Sequence, residues 1–280
     1  MNADERPRPE HVPTSNTMPM LGLGTWENAD YDQCVKSVRT AIDTGYRHID
    51  TAQIYRNEEA VGEGIATADT DRDELFLATK VWISNLNPTA VRESTRASLD
   101  RLGVETVDLL YVHWPAGEYE PAATLGALEA VFEAGLTRRI GVSNFEPNHL
   151  DRARELCDVP VFANQIEIHP YLPQEALRAY ADRTEIELVA YSPLARGAVL
   201  DDPTLTAIAA DHDASAAQVA LAWLRSLGIT PIPKATSPAH IRDNWASLTV
   251  DLTAEEIARI NAIDRTDRRV HPDFAPAAWD

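Results

Sequence analysis

"YRHID" at 46–50, "LFLATK" at 75–80 and "VDLLYVH" at 107–113 are three short apolar runs, and each ends on a titratable side chain: Asp50, Lys80 and His113. Tyr55 follows five residues after the first run, in "TAQIY" at 51–55. The segments between the runs carry helix punctuation. In "NPTAVRESTRASLDRLG", Asn87 is placed as an N-cap, Pro88 stands in the first turn and Gly103 is the terminator. Short apolar runs alternating with longer amphipathic segments indicate βα units and a parallel sheet. Parallel strands that deliver polar groups at their C-terminal ends are the layout of an α/β barrel, whose chemistry sits on that rim.

Extended outward, the same reading gives eight strands, at 21–24, 46–50, 75–80, 107–112, 138–142, 161–166, 186–191 and 229–232. Eight helices are expected between them, at 31–44, 57–68, 88–102, 122–134, 147–157, 173–182, 214–227 and 238–247. Two further stretches, 201–212 and 253–264, read as extra helices, and residues 8–20 as an N-terminal hairpin across the barrel floor. No linker is long enough to split the chain, so residues 1–280 are expected to form a single barrel domain.

The formal net charge of −19 argues against binding a phosphate backbone, so no nucleic-acid partner is expected. There is no run of 18 apolar residues, and the polar start "MNADERPRPEHVPTSN" lacks the apolar centre of a signal peptide. No membrane association and a cytoplasmic setting are therefore expected. Lys36, Lys80 and Lys234 are the only lysines, against 22 arginines. An acidic, lysine-poor surface points to a salt-rich cytoplasm, where screening over about 3 Å at 1 M salt relieves self-repulsion. A GC-rich genome would also favour arginine over lysine. Cys34 and Cys157 do not make a disulfide framework. His11, His48, His149, His169, His212 and His271 show no metal-ligand spacing, and no metal is expected.

Chemistry links the four side chains. A phenol, with pKa near ~10, is a poor acid at neutral pH. A neighbouring ammonium stabilises the phenolate, and a carboxylate can hold that ammonium in place. An adjacent histidine can polarise a carbonyl or pass a proton. The set suits general-acid reduction of a carbonyl. Taken singly, Asp50 and Lys80 read equally well as a structural ion pair, Tyr55 as a loop aromatic and His113 as a packed ring.

"GLGTW" at 22–26, "HIDTAQIYRNEEAVGEGI" at 48–65, "GVSNF" at 141–145, "NQIEIHP" at 164–170, "YSPLARG" at 191–197 and "IPKA" at 232–235 occur in the order and spacing of the aldo-keto reductases. The chain resembles that family from about residue 12 to about 265, and especially its compact prokaryotic branch of 2,5-diketo-gluconate and methylglyoxal reductases. The resemblance implies a (β/α)8 TIM barrel, NADP(H) as coenzyme and a small-molecule carbonyl substrate, in a protein expected to be a monomer. It makes Tyr55 the proton donor, with Lys80 lowering its pKa, Asp50 orienting Lys80 and His113 orienting the carbonyl. It assigns Ser143, Asn144 and Gln165 to the nicotinamide carboxamide and Tyr191 to the face of its ring. Gly24, Thr25 and Trp26 join the coenzyme set, Ser192, Leu194 and Gly197 flank the pyrophosphate, and Lys234, Thr236, His240 and Asn244 surround the adenosine end. The chain has no G-x-G-x-x-G after its first strand, which disfavours a Rossmann dehydrogenase.

Trp26, Trp82 and Trp114 each follow a strand end and are expected to wall the substrate mouth, unless they serve as rim packing. The short stretch at 115–121 and the brief tail after 265 predict an open pocket. At the adenosine end the chain departs from the pattern of NADP-selective members, with His240 where they carry arginine. A histidine lacks the fixed guanidinium fork that suits a phosphate, and Arg242 lies about 200° further round a helix. A modest preference for NADPH, with NAD(H) also used, is the expectation. Two rival readings compete with this one. A branch reducing conjugated double bonds carries glutamate in place of the tetrad histidine, which His113 contradicts. A nucleotide-sensing subunit without turnover keeps much of the tetrad but needs a docking surface.

Overall fold

The computed structural model describes residues 7–276. The chain opens with an antiparallel hairpin, β1 (Thr14–Ser15) and β2 (Met18–Pro19). Parallel strands and helices then alternate: β3 (Leu23–Gly24), α1 (Tyr31–Thr44), β4 (His48–Asp50), α2 (Glu58–Ala66), β5 (Phe76–Val81), α3 (Pro88–Leu102), β6 (Leu109–Val112) and α4 (Pro121–Glu133). The second half runs β7 (Ile140–Ser143), α5 (Pro147–Leu156), β8 (Val161–Glu167), α6 (Glu175–Thr184), β9 (Glu187–Tyr191), α7 (Pro203–Asp211), α8 (Ala216–Ser226), β10 (Thr230–Pro231), α9 (Pro238–Ala246) and α10 (Ala254–Asn261). The eight strands β3 to β10 pair in chain order. The ring closes where Gly22 N–H donates to Pro231 O (3.0 Å), Gly24 N–H to Pro233 O (3.2 Å), and Gly24 bridges Lys234 in parallel. This is the expected (β/α)8 barrel with an N-terminal hairpin, and the two extra helices are α7 and α10.

The element boundaries follow local chemistry. Asn87 Oδ1 accepts the Ala90 N–H at 3.0 Å, Pro88 fills the first turn of α3, and Gly103 ends it at φ 66°. The first strand is shorter than expected, 23–24 against 21–24, because Gly22 pairs outside regular strand geometry at the closing seam.

Strand alternation sorts each side chain to the barrel interior or to the helix layer. Phe76, Ala78, Leu109, Tyr111, Ala163, Val189 and Ile232 pack together with Met18 of the hairpin as the interior cluster. Leu77, Val81, Leu110 and Val112 face outward into the larger core under the helices. Continuing the inward rows two residues at a time from Ala78, Tyr111, Ala163 and Val189 leads to Lys80, His113, Gln165 and Tyr191. Apolar layers thus fill the floor and middle, and polar side chains form the top layer at the strand C-termini.

The floor is sealed. His48 meets the edge of Phe76 at 5.0 Å, with its Nδ1 3.3 Å from Pro19 O. The Arg139 guanidinium lies between the rings of Phe162 (5.0 Å) and Phe76 (5.6 Å).

Candidate active site

A cavity of about 490 Å³ opens at the C-terminal rim. Asp50, Tyr55 and His113 line it, together with Trp26, Trp82 and Trp114. Lys80 is completely buried directly behind Tyr55. Its ammonium donates to Asp50 Oδ1 and to Thr51 O (2.8 Å), and stands 5.2 Å from the centroid of the Tyr55 ring. Four residues spread over about 60 positions of chain therefore meet at one point.

Each is held from behind. Asp50 Oδ2 accepts from Gln165 Nε2 at 2.8 Å, a bond across the barrel between β4 and β8. Thr25 Oγ1 donates to Asp50 O (3.0 Å), and Asn57 ties the neighbouring loops by donating to Thr25 O (2.8 Å) and Asn28 O (3.2 Å). Behind Lys80 sits a second buried acid, Glu58, which accepts from Thr79 Oγ1 (2.6 Å) and from Arg101 Nη2 (2.6 Å). The His113 ring meets Tyr55 edge-on at 5.8 Å and Trp82 at 5.1 Å. Its Nδ1 is buried and has no hydrogen-bond partner among the described residues.

Burial dominates the titration of this centre. It pushes the Tyr55 phenol well above its ordinary value, and the Asp50 carboxylate adds to the shift. The phenol therefore carries its proton across the neutral range. In the ligand-free protein, removing the phenolate from water sets the direction of the shift. Burial also lowers the Lys80 ammonium, while Asp50 and Glu58 pull it back up. Burial, then the Lys80 charge, holds His113 well below the ordinary histidine range, so its ring is neutral at pH 7.

A second network joins the ends of β6, β7, β8 and β9. Ser143 Oγ donates to Gln165 O (2.7 Å), and Asn144, left-handed at φ 63°, donates from Nδ2 to His113 O (3.0 Å). The Tyr191 hydroxyl donates to Asn144 Oδ1 at 2.8 Å. Asn144, Gln165 and Tyr191 line the cavity, and Ser143 stands one layer behind it. Gly24 also lines the cavity, and a Cβ there would meet the main-chain Ile232 O at 2.7 Å. Thr25, Ser192, Leu194, Gly197 and Lys234 complete the expected lining. The loop after β9 is left-handed at Ser192, Ala195, Arg196 and Gly197, a concentration of unusual backbone at the cavity edge. Thr236, His240 and Asn244 do not line this cavity. His240 is exposed in the first turn of α9, where Ser237 Oγ accepts its N–H (3.2 Å), and Asn244 is buried beneath.

Two groups escaped the reading of the sequence. Arg196 lines the cavity with its guanidinium 4.6 Å above the Trp26 ring; it stands inside a quoted motif, and its charge was the available signal. Val270, Pro272 and Phe274 also line the cavity. The tail therefore covers part of the mouth, correcting the expectation of an open pocket. A tail without regular structure leaves no periodic signal. Among the described residues no helix is long and apolar enough to cross a membrane, and no group of three or more His, Cys, Asp or Glu side chains is placed to hold a metal ion.

The Aldo/keto reductase family model matches residues 20–265. Methylglyoxal reductase DkgB of Escherichia coli O157:H7 is 40% identical, with 94% of this chain and 99% of that protein covered. The 9,11-endoperoxide prostaglandin H2 reductase of Trypanosoma cruzi is 39% identical, with 91% of each covered. The crystal structure of a Bombyx mori aldo-keto reductase in complex with NADP superposes with a TM-score of 0.85 at 34% identity, covering 91% of this chain and 92% of that one. The chain belongs to the aldo/keto reductase family.

Proposed function

We propose that the protein is an NADP(H)-dependent reductase of aldehydes and ketones, with Tyr55 as general acid. The observation that carries this reading is the buried Lys80–Asp50 pair lying against Tyr55 at the base of a cavity that also holds a neutral histidine. NADPH, when bound, supplies the hydride that adds to the carbonyl carbon. A phenol that keeps its proton to high pH is a loaded donor for the carbonyl oxygen as negative charge develops there. Lys80 stabilises the phenolate left behind, and Asp50, fixed by Gln165, holds Lys80. His113 donates a hydrogen bond from a neutral ring and so orients the oxygen without competing as an acid.

The lining suits a dinucleotide. Tyr191 offers a flat face, and the amides of Asn144 and Gln165 complement a carboxamide. Ser143 supports them through Gln165 O. The lysine and arginine side chains among the cavity-lining residues, Arg196 and Lys234, are cations in an otherwise acidic protein, as a polyanionic ligand needs. Gly24, Thr25 and Trp26 would wall the nicotinamide end, and Ser192, Leu194 and Gly197 the diphosphate. Thr236 and His240, at the start of α9, and Asn244, in its last turn, would meet the adenosine end outside the cavity. Trp26, Trp82 and Trp114 give the carbonyl compound an aromatic wall, and the similarity to the Escherichia coli methylglyoxal reductase favours small dicarbonyls such as methylglyoxal. Absorbance at 340 nm with NADPH and a panel of methylglyoxal, aldoses, keto acids and aromatic aldehydes tests the reading. Binding of NADPH without turnover of any carbonyl would instead favour the nucleotide sensor. The acidic, lysine-poor composition supports a salt-rich cytoplasmic setting, whose signature is a melting temperature that rises with KCl.

A further inference from the structure

Glu167 ends β8, two residues beyond Gln165, and is fully buried, yet it is not among the cavity-lining residues. Two of its partners lie about a hundred positions away. Oε1 accepts the main-chain N–H of Arg269 (2.6 Å) and stands 2.9 Å from His169 Nε2. Oε2 accepts the N–H of Val270 (2.9 Å). A buried carboxylate requires such donors, and main-chain amides give it charge-assisted bonds that fix the chain supplying them.

Other contacts along the tail accompany these bonds. After α10 the described tail contains no helix or strand. Asp267 N–H donates to Tyr171 O (3.0 Å), and the Arg265 guanidinium covers the Tyr171 ring at 4.1 Å. Four residues past the anchor, Phe274 stands edge-on to Trp82 (5.6 Å) and to Trp114 (5.5 Å), still 36% exposed at the cavity mouth.

We propose that Glu167 is a positioning residue for substrate selection: its carboxylate clamps the main chain at 269–270, so that Phe274 stands as the third aromatic wall beside Trp82 and Trp114. The proposal rests on the reading of this cavity as the carbonyl site. Aromatic carbonyl compounds, which use three edge-and-face contacts, depend on the clamp, whereas a small aliphatic dicarbonyl does not.

Four variants and two readouts test it. Glu167→Gln places an amide NH2 against a main-chain N–H. It is expected to speed amide hydrogen exchange across 268–275 by about tenfold or more while leaving the barrel strands unchanged. With the same variant, KM for benzaldehyde is expected to rise about tenfold at a kcat within about twofold, and KM for methylglyoxal to stay within about twofold. Phe274→Ala should reproduce the KM shift without loosening exchange at 269–270, and the double variant should show no larger shift than Phe274→Ala. Unchanged tail exchange, additive KM shifts, or an equal kcat loss for both substrates would overturn the proposal. If Glu167→Gln does not fold, Arg269→Pro, outside the cavity lining, deletes one donor with the acid intact. The same exchange and KM signature supports the clamp, and its absence overturns it. A wild-type protein that reduces no carbonyl compound defeats the functional reading alone, because the exchange arm still decides the anchor.

Discussion

Two buried aspartates, one at each end of the barrel, are satisfied in opposite ways. Asp108 lies at the floor, just before β6, and is almost completely buried. It accepts from Leu77 N–H (2.9 Å), Arg72 Nη2 (2.8 Å) and Arg138 Nη1 (3.0 Å), and both arginines reach water on their outer side. No cavity-lining side chain of the rim touches this cluster. Asp50, at the rim, is paired with a lysine that is itself fully buried, and its other oxygen is held by an amide from the opposite wall. One acid ties loops and strands together through cations that remain hydrated. The other keeps an unsolvated charge beside the cavity, an arrangement that serves chemistry more than stability. The same acid at the floor of a barrel reads as architecture and at its rim as function.

The sharpest separation should come from Tyr55→Phe. Loss of the proton donor is expected to lower kcat by ~10²–10⁴ while coenzyme affinity, read by fluorescence titration, stays within about twofold. Retention of a tenth of the wild-type rate would remove Tyr55 from the acid's role. Lys80→Met should come next, with kcat down by ~10² or more and a lowered melting temperature, because Asp50 is left as an uncompensated buried charge. A variant that loses melting temperature and keeps its rate would make the rim pair architectural too, and the contrast with Asp108 would collapse.

Asp108→Asn is the converse. Weakened acceptance from two arginines is expected to destabilise the fold by about 1–3 kcal/mol in urea unfolding, with kcat within about twofold of wild type. A large rate loss at unchanged stability would show that floor and rim are coupled.

The pH dependence sharpens the comparison through two histidines, His48 at the floor and His113 at the rim. Burial lowers both below the ordinary value near ~6.5. Below that value the unfolded chain takes up protons that the folded barrel refuses, so stability present at pH 7 is lost as pH falls from about 6.5 towards the folded values. Melting curves from pH 7.5 to 5 should show the loss, and His48→Gln should blunt it. Over the same range the reductive rate should hold on the Tyr55 side, because a raised phenol stays protonated. The smallest effect is expected at the adenosine end. His240→Arg, on the exposed first turn of α9, should raise the NADPH-to-NADH ratio of kcat/KM by about tenfold, the worth of one good bidentate phosphate contact.

The alternation of strands and helices was legible in the sequence, as were the capped ends of α3 and the placement of Asp50, Lys80 and His113 at strand C-termini. These are local properties, written in periodicities of two and 3.6 and in cap residues that neighbours within a few positions decide. The shared rim position of Asp50, Lys80 and His113 followed because a strand's direction fixes which of its ends faces the rim. What only the tertiary structure decided are the contacts that barrel closure creates. Gln165 reaches Asp50 across 115 positions, and Glu167 takes main-chain amides more than a hundred positions away. Phe274 stands between two tryptophans at the mouth. The direction of the Tyr55 shift belongs to the same class, since it depends on how much water eight packed strands exclude. A tail with no ladder of its own goes where a buried acid holds it, and nothing in the tail's local sequence encodes that acid's position.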